Sequence, residues 1–67
     1  MKLMLNGRSL ESECETLLAL LHEQGIDTDQ RGIAVAIDNQ VITRQHWESR
    51  ALAEGEVIEV ITAMQGG

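Results

Sequence analysis

Between Ile33 and Ile37 the chain alternates strictly, with Ile33, Val35 and Ile37 on one parity and Ala34 and Ala36 on the other. Successive side chains of a strand point to opposite faces. The segment therefore reads as a strand with one bulky face and one face reduced to methyl groups. Such a strand fits a sheet covered on a single side. A second constraint is Asn6-Gly7, set between Lys2-Leu3-Met4-Leu5 and a returning run from Arg8 to Glu13. Both centres of a two-residue type I′ turn need positive φ, which Asn and Gly accept, so the two runs form a hairpin. On the returning strand Glu11, Glu13 and Glu15 share one parity, and Leu10, Ser12 and Cys14 the other. A charged outer row suits an edge strand, which must not pair with a second chain.

Thr16 to Gln24 has helical composition and spacing. Thr16 is placed to cap the free N–H groups, and Glu13 and Glu15 precede the positive end of the dipole. Gly25 supplies the left-handed residue after the helix, and Ile26 the hydrophobic contact that accompanies it. Leu17, Leu18 and Leu21 form the face expected to lie on the sheet, with Leu20 at its margin. Asp27 to Gly32 is a polar connection. Asp38-Asn39-Gln40 is a turn, Val41-Ile42 a short fourth strand, and Thr43 a cap for a helical turn over Arg44-Gln45-His46-Trp47. Glu54-Gly55-Glu56 is another turn, Val57 to Ala63 the last strand, and Met64-Gln65-Gly66-Gly67 a tail. The order ββαββ, helical turn, β is an α+β arrangement: a mixed sheet with one main helix packed on one face. It makes one domain, 1–67, with a flexible tail at about 64–67.

Size and composition narrow the function. A chain of 67 residues buries only about 60% of the surface its unfolded form exposes. Little is left to line a deep active site, so the chain is read as a non-enzyme with no catalytic residues. The core must be aliphatic, because Trp47 is the only aromatic residue. One cysteine, Cys14, forms neither an internal disulfide nor a four-cysteine metal site. No metal site and no bound cofactor are expected. Five scattered basic residues in a chain of net charge −6 argue against nucleic acid. No apolar run is long enough to span a bilayer, and no signal peptide stands at the start. A cytoplasmic setting is expected. The acidic balance suits a basic partner surface, and equally suits solubility alone.

The tail is the chemically distinctive part. Glycine at an end often marks fraying, and on the tail alone that reading is the stronger. A diglycine also lacks Cβ atoms and can thread a narrow groove in a partner. Its only functional group is the α-carboxylate, which is ionised at neutral pH and a poor electrophile. It must be activated, for example by adenylation, before it accepts a nucleophile. This chain has no phosphate-cradling loop, so the activation falls to another protein.

The order ββαββ…β, the small size and the terminal Gly-Gly resemble the ubiquitin-like β-grasp proteins. More specifically, Ala36-Ile37-Asp38-Asn39-Gln40-Val41-Ile42-Thr43-Arg44-Gln45-His46-Trp47 resembles a block of the ThiS family. Leu52-Ala53-Glu54-Gly55-Glu56-Val57-Ile58-Glu59-Val60 resembles the family's following run, and Thr62-Ala63-Met64-Gln65-Gly66-Gly67 its end. Thr43 departs from a frequent Pro and Glu56 from a frequent Asp. The resemblance spans the chain and implies a sulfur carrier. A ThiF-type enzyme would adenylate Gly67 using ATP and Mg²⁺, and a cysteine desulfurase relay would supply the sulfur of a thiocarboxylate. ThiG, the thiazole synthase, would take that sulfur into the thiazole of thiamine. Gly66, Gln65 and Met64 would thread the partners' clefts. The alternatives are a MoaD-type carrier for molybdopterin synthesis, a ubiquitin-like protein modifier, and a binding module with an inert tail. MoaD-type chains are usually longer and approach Gly-Gly through bulkier or Pro-containing sequence. Here Phe and Pro are absent, and Lys2 is the only lysine.

Parity also names a docking face. If Ile58 and Val60 point into the core, Glu59 and Ile61 point out. By the same rule Met4, Ala34 and Ala36 face outward, and with Ile61 and Met64 they would make an apolar patch. Exposed methionines adapt to more than one partner, although scattered surface hydrophobes are also ordinary. Cys14 reads as a half-buried structural thiol, and His22 and His46 as solvent-facing. Trp47 reads as the anchor of the helical turn. Asp27, Asp29 and Asp38 lack calcium-loop spacing and read as turn residues. Arg44 either docks a partner acid or holds its own turn.

Overall fold

The computed structural model describes residues 1–62. It shows five strands and one helix: β1 (Lys2–Leu5), β2 (Arg8–Glu11), α1 (Leu17–Glu23), β3 (Ile33–Ile37), β4 (Gln40–Ile42) and β5 (Val57–Thr62). A 3-10 turn, Arg44–His46, follows β4. The sheet order is β2-β1-β5-β3-β4. β1 and β5 run parallel and every other pair is antiparallel, so the sheet is mixed as expected. The tail expected at 64–67, and Ala63 of the expected last strand, lie outside the described residues.

The two hairpins rest on residues that tolerate positive φ. Asn6 and Gly7 sit at φ 49° and 79°, Asp38 and Asn39 at 49° and 70°. The turn side chains also hold β5. Asn6 Oδ1 accepts from the Val60 amide at 2.8 Å, taking over where β1 ends. Asp38 Oδ1 accepts from the Val57 amide at 3.0 Å, and the Asp38 amide donates to the Val57 carbonyl at 2.8 Å. The strand that leads to the C-terminus is thus tied on both sides by turn side chains. Asn6→Gly keeps the turn but removes the bond to Val60. It should cost about 1 kcal/mol, the usual net worth of such a bond, read as a lower urea midpoint with an unchanged slope. Hydrogen exchange should quicken at the Val60 amide.

α1 begins at Thr16, whose hydroxyl accepts from the Ala19 amide. Its end follows the expected glycine motif. Gly25, at φ 75°, donates its amide to the His22 carbonyl, and the Ile26 amide reaches the Leu21 carbonyl. One expectation near its start needs correction: β2 ends at Glu11 rather than Glu13. Glu13 and Glu15 stand before the helix, and its first turn holds no acidic residue. The Glu15 carbonyl accepts from the Leu52 amide, and Thr16 bridges to Ala51. Ser12 is buried; its hydroxyl donates to Glu23 Oε1 at 2.9 Å and accepts from the Cys14 amide at 3.0 Å. That pair of bonds clips the end of the hairpin to the helix.

One aliphatic core lies between α1 and the sheet. Leu17, Leu20 and Leu21 of the helix meet Leu3, Val35, Ile37 and Ile58, with Trp47 and Leu52 closing the side. The helix face differs from expectation: Leu20 is fully buried, and Leu18 is the half-buried margin. The Leu18 amide donates to the Trp47 carbonyl, so this side of α1 is turned toward the 3-10 turn, not onto the sheet. Trp47 is buried and its Nε1 donates to the Ile42 carbonyl at 2.8 Å, the anchoring role expected of it. Thr43 does not cap the turn with its side chain; its hydroxyl pairs with His46 Nδ1 at 2.8 Å.

Candidate functional site: the open sheet face and the strand to the tail

α1 covers one face of the sheet, and the register fixes what stands on the other. Ala34 pairs with Ile61, Ala36 with Glu59, and Ala36 with Val41 across the other edge of β3. Met4 pairs with Val57 and with Ser9. Met4, Ala34, Ala36, Glu59 and Ile61 therefore share the face opposite α1, as parity implied. Met4, Ala34, Glu59 and Ile61 are exposed and Ala36 is half-buried. Val60, expected in the core, packs against it as a half-buried residue.

Two members of this face were not singled out from the sequence. Val41 is 68% exposed and Val57 40%. Both carried a signal. Val57 shares the parity of Glu59 and Ile61, and Val41 follows from closing the Asp38-Asn39 hairpin, which sets it opposite Ala36. With Met4 and Ile61, they make every large exposed hydrophobic residue among the described residues a member of one face. Scattered placement would have put some elsewhere.

The remaining candidates have local roles. Arg44 donates to the Thr28 carbonyl, and to the Gln30 carbonyl at 2.8 Å, while its guanidinium lies 4.6 Å from the Trp47 ring centroid. It holds the connection between α1 and β3 onto the 3-10 turn, which favours the local of its two readings. His22 Nε2 pairs with the Thr28 hydroxyl at 3.1 Å. Asp27 accepts from the Asp29 amide as a turn residue does. Cys14 is half-buried. Glu56 joins Arg50 in an ion pair of 2.8 Å and accepts from the Ala53 amide. Among the described residues no group of three or more His, Cys, Asp or Glu side chains could hold a metal ion, and no helix is long and apolar enough to cross a membrane. Met64, Gln65, Gly66 and Gly67, expected to enter partner clefts, lie outside the described residues.

A five-stranded mixed sheet of order β2-β1-β5-β3-β4, one helix across one face and the last strand running parallel beside the first define a ubiquitin-like β-grasp protein. Solved structures share this fold. A crystal structure of the thiamine biosynthesis protein ThiS from Geobacter metallireducens superimposes with a TM-score of 0.81 over the whole of both chains, at 21% identity. A solution structure from the same organism gives 0.78, covering all of this chain and 88% of that one, at 23% identity. Residues 4–67 match the model of the ThiS family, and the chain belongs to that family. The sulfur carrier protein ThiS of Thermus thermophilus is 35% identical over 63 residues, 94% of this chain and 95% of the relative. The sulfur carrier protein ThiS of Escherichia coli is 27% identical over the full length of both.

Proposed function

We propose that this chain carries sulfur as a thiocarboxylate on Gly67 and delivers it to the thiazole ring of thiamine. The observation that carries the reading is the family match, which runs through Gly66 and Gly67 to residue 67. The chain itself is acted upon. A ThiF-type enzyme, using ATP and Mg²⁺, joins AMP to the Gly67 carboxylate with loss of pyrophosphate. The outer sulfur of a persulfide on a cysteine desulfurase relay then attacks the acyl carbon and displaces AMP. A second thiol cleaves the resulting acyl disulfide, leaving the thiocarboxylate on Gly67 and a disulfide on the relay, and ThiG-type thiazole synthase takes the sulfur. In this reading the steps occur in the cytoplasm. Met64, Gln65 and Gly66 occupy the partners' clefts, while Met4, Ala34, Ala36, Glu59 and Ile61 dock on their surfaces. Val41 and Val57 extend that surface.

The fold supports this division of labour. β5 carries docking residues on its open face and leads directly to the tail, so a partner that seats on the sheet also receives the terminus. The test is to incubate the protein with the adenylating enzyme, ATP and a sulfur source, then weigh it intact. The expected product is heavier by the difference between sulfur and oxygen, and it forms only when ATP is present. A full reaction in which the mass stays unchanged would sink the carrier reading. Transfer to protein lysines, seen as covalent adducts in place of the mass shift, would support a modifier instead.

A further inference from the structure

Glu59 is the ionisable residue in the middle of the open face. Along β5 it stands between Val57 and Ile61, and across the ladder it faces Ala36, beyond which lies exposed Val41. On its other side the neighbour is the Asn6-Gly7 turn, because Leu5 pairs with Ile58 and β1 ends there. The ion pair found among the described residues joins Arg50 to Glu56 and does not involve Glu59. Lys2 and Glu11 are the other charged strand residues on this face; they pair across β1 and β2 at the end away from that turn, where the Glu54 carboxylate also sits, accepting from the Lys2 amide. Arg8 shares the parity of Leu10 and so belongs to the helix side.

The floor beside Glu59 is low. Ala34 and Ala36 contribute only methyl groups, between the β5 row of Glu59 and Ile61 and the single valine of β4. A long side chain with an aliphatic stem can lie over such a strip and bring a charged head to the carboxylate. Docking removes water from Glu59, and a carboxylate left unpaired among apolar groups is costly.

We propose that Glu59 and the Ala34–Ala36 floor form a socket for one basic side chain of the enzyme that docks on this face. This rests on the carrier reading and names the chemistry its partner must present: an Arg or Lys set in an otherwise apolar patch. Arginine fits better than lysine, since its planar fork pairs both carboxylate oxygens and sheds water more readily. The chain's net charge of −6 steers it toward such a surface, and the Glu59 contact fixes register once it arrives. A second copy of this chain is a poor occupant, because two such faces paired about Glu59 would bring like charges together.

The experiment measures binding of the wild-type protein, Glu59→Gln, Glu59→Asp and Glu59→Lys to the adenylating enzyme by calorimetry at low and high salt. Glu59 is exposed, so thermal midpoints should stay near that of the wild type. Glu59→Gln is expected to weaken binding by about tenfold or more, Glu59→Asp by less and Glu59→Lys by more. The salt dependence of binding should flatten in Glu59→Gln. If the wild type binds and gains its sulfur, but Glu59→Gln binds equally well with the same salt dependence, the socket is overturned and the carrier reading stands. If the wild type neither binds nor changes mass, the carrier reading fails and the socket with it. Sedimentation showing a dimer that Ile61→Asp disperses would also overturn the proposal, by giving the face to a second copy.

Discussion

Replacing Trp47 with alanine should leave most of the protein unfolded at room temperature. Burying a Trp and then truncating it costs about 3–5 kcal/mol in a core that cannot collapse into the gap. A domain of 67 residues has roughly 3–10 kcal/mol in total at typical values per residue. Trp47 is 2% exposed and fills the side of a core that is otherwise aliphatic, so no neighbouring ring can take its volume. The loss reaches beyond packing. Its Nε1 bond to the Ile42 carbonyl fixes the end of β4, and its ring is the platform for Arg44, which holds the Thr28 and Gln30 carbonyls. Trp47→Phe separates these contributions: it keeps most of the apolar volume and strands the Ile42 carbonyl, for about 1–3 kcal/mol. Urea titrations followed by far-ultraviolet circular dichroism should rank wild type above Trp47→Phe above Trp47→Ala. A Trp47→Ala protein with a wild-type midpoint would show that the ring is not the anchor described.

The sequence patterns that predicted the fold best were those fixed by neighbouring residues. Asn6-Gly7 favours positive φ at both turn centres, and the structure supplies it there. The same geometry at Asp38-Asn39 lies inside a turn expected to run on through Gln40, which is instead the first residue of β4. Period two in Ile33–Ile37 separated core from surface, because a strand has only two faces. The helix was harder. Within seven residues both Leu18 and Leu20 fall inside an apolar arc, and periodicity does not say which edge turns toward the sheet. The decision comes from Trp47, which receives the Leu18 amide and sits beside that edge. The bonds from Asn6 to Val60 and from Asp38 to Val57 were equally hidden, for their partners lie 54 and 19 residues away. Arg44 illustrates the same limit: its carbonyl partners are on a connection whose path depends on the finished core. The open face is legible wherever parity applies along a strand, which includes Val57 beside Glu59; Val41 joins it only once the Asp38-Asn39 hairpin sets that residue opposite Ala36.

Deleting Gly67 should reduce the rate of thiocarboxylate formation more than about 100-fold, while leaving binding to the adenylating enzyme nearly intact. The shortened chain still ends in a carboxylate, now on Gly66, so the reacting group is not lost. What changes is its position, by about 3.3–3.6 Å for an extended residue. A misplacement of about 1 Å is enough to cost roughly 100-fold when a reaction depends on aligned atoms. Docking is expected to persist, because the residues of the open face belong to β1, β3, β4 and β5. Initial rates from intact mass at saturating enzyme, beside calorimetric affinities, read the two effects separately. Gly66→Val should also lower the rate by adding a branched Cβ where a narrow cleft receives the chain, and Gly66→Ala should do so less. A full rate in the protein lacking Gly67 would show that the terminal glycine is not the site of chemistry. Glu59→Gln is expected to show the converse pattern, weaker affinity with a near-normal rate at saturation. Together the two variants distinguish a carrier whose sheet selects the enzyme and whose tail reacts from one in which the tail does both.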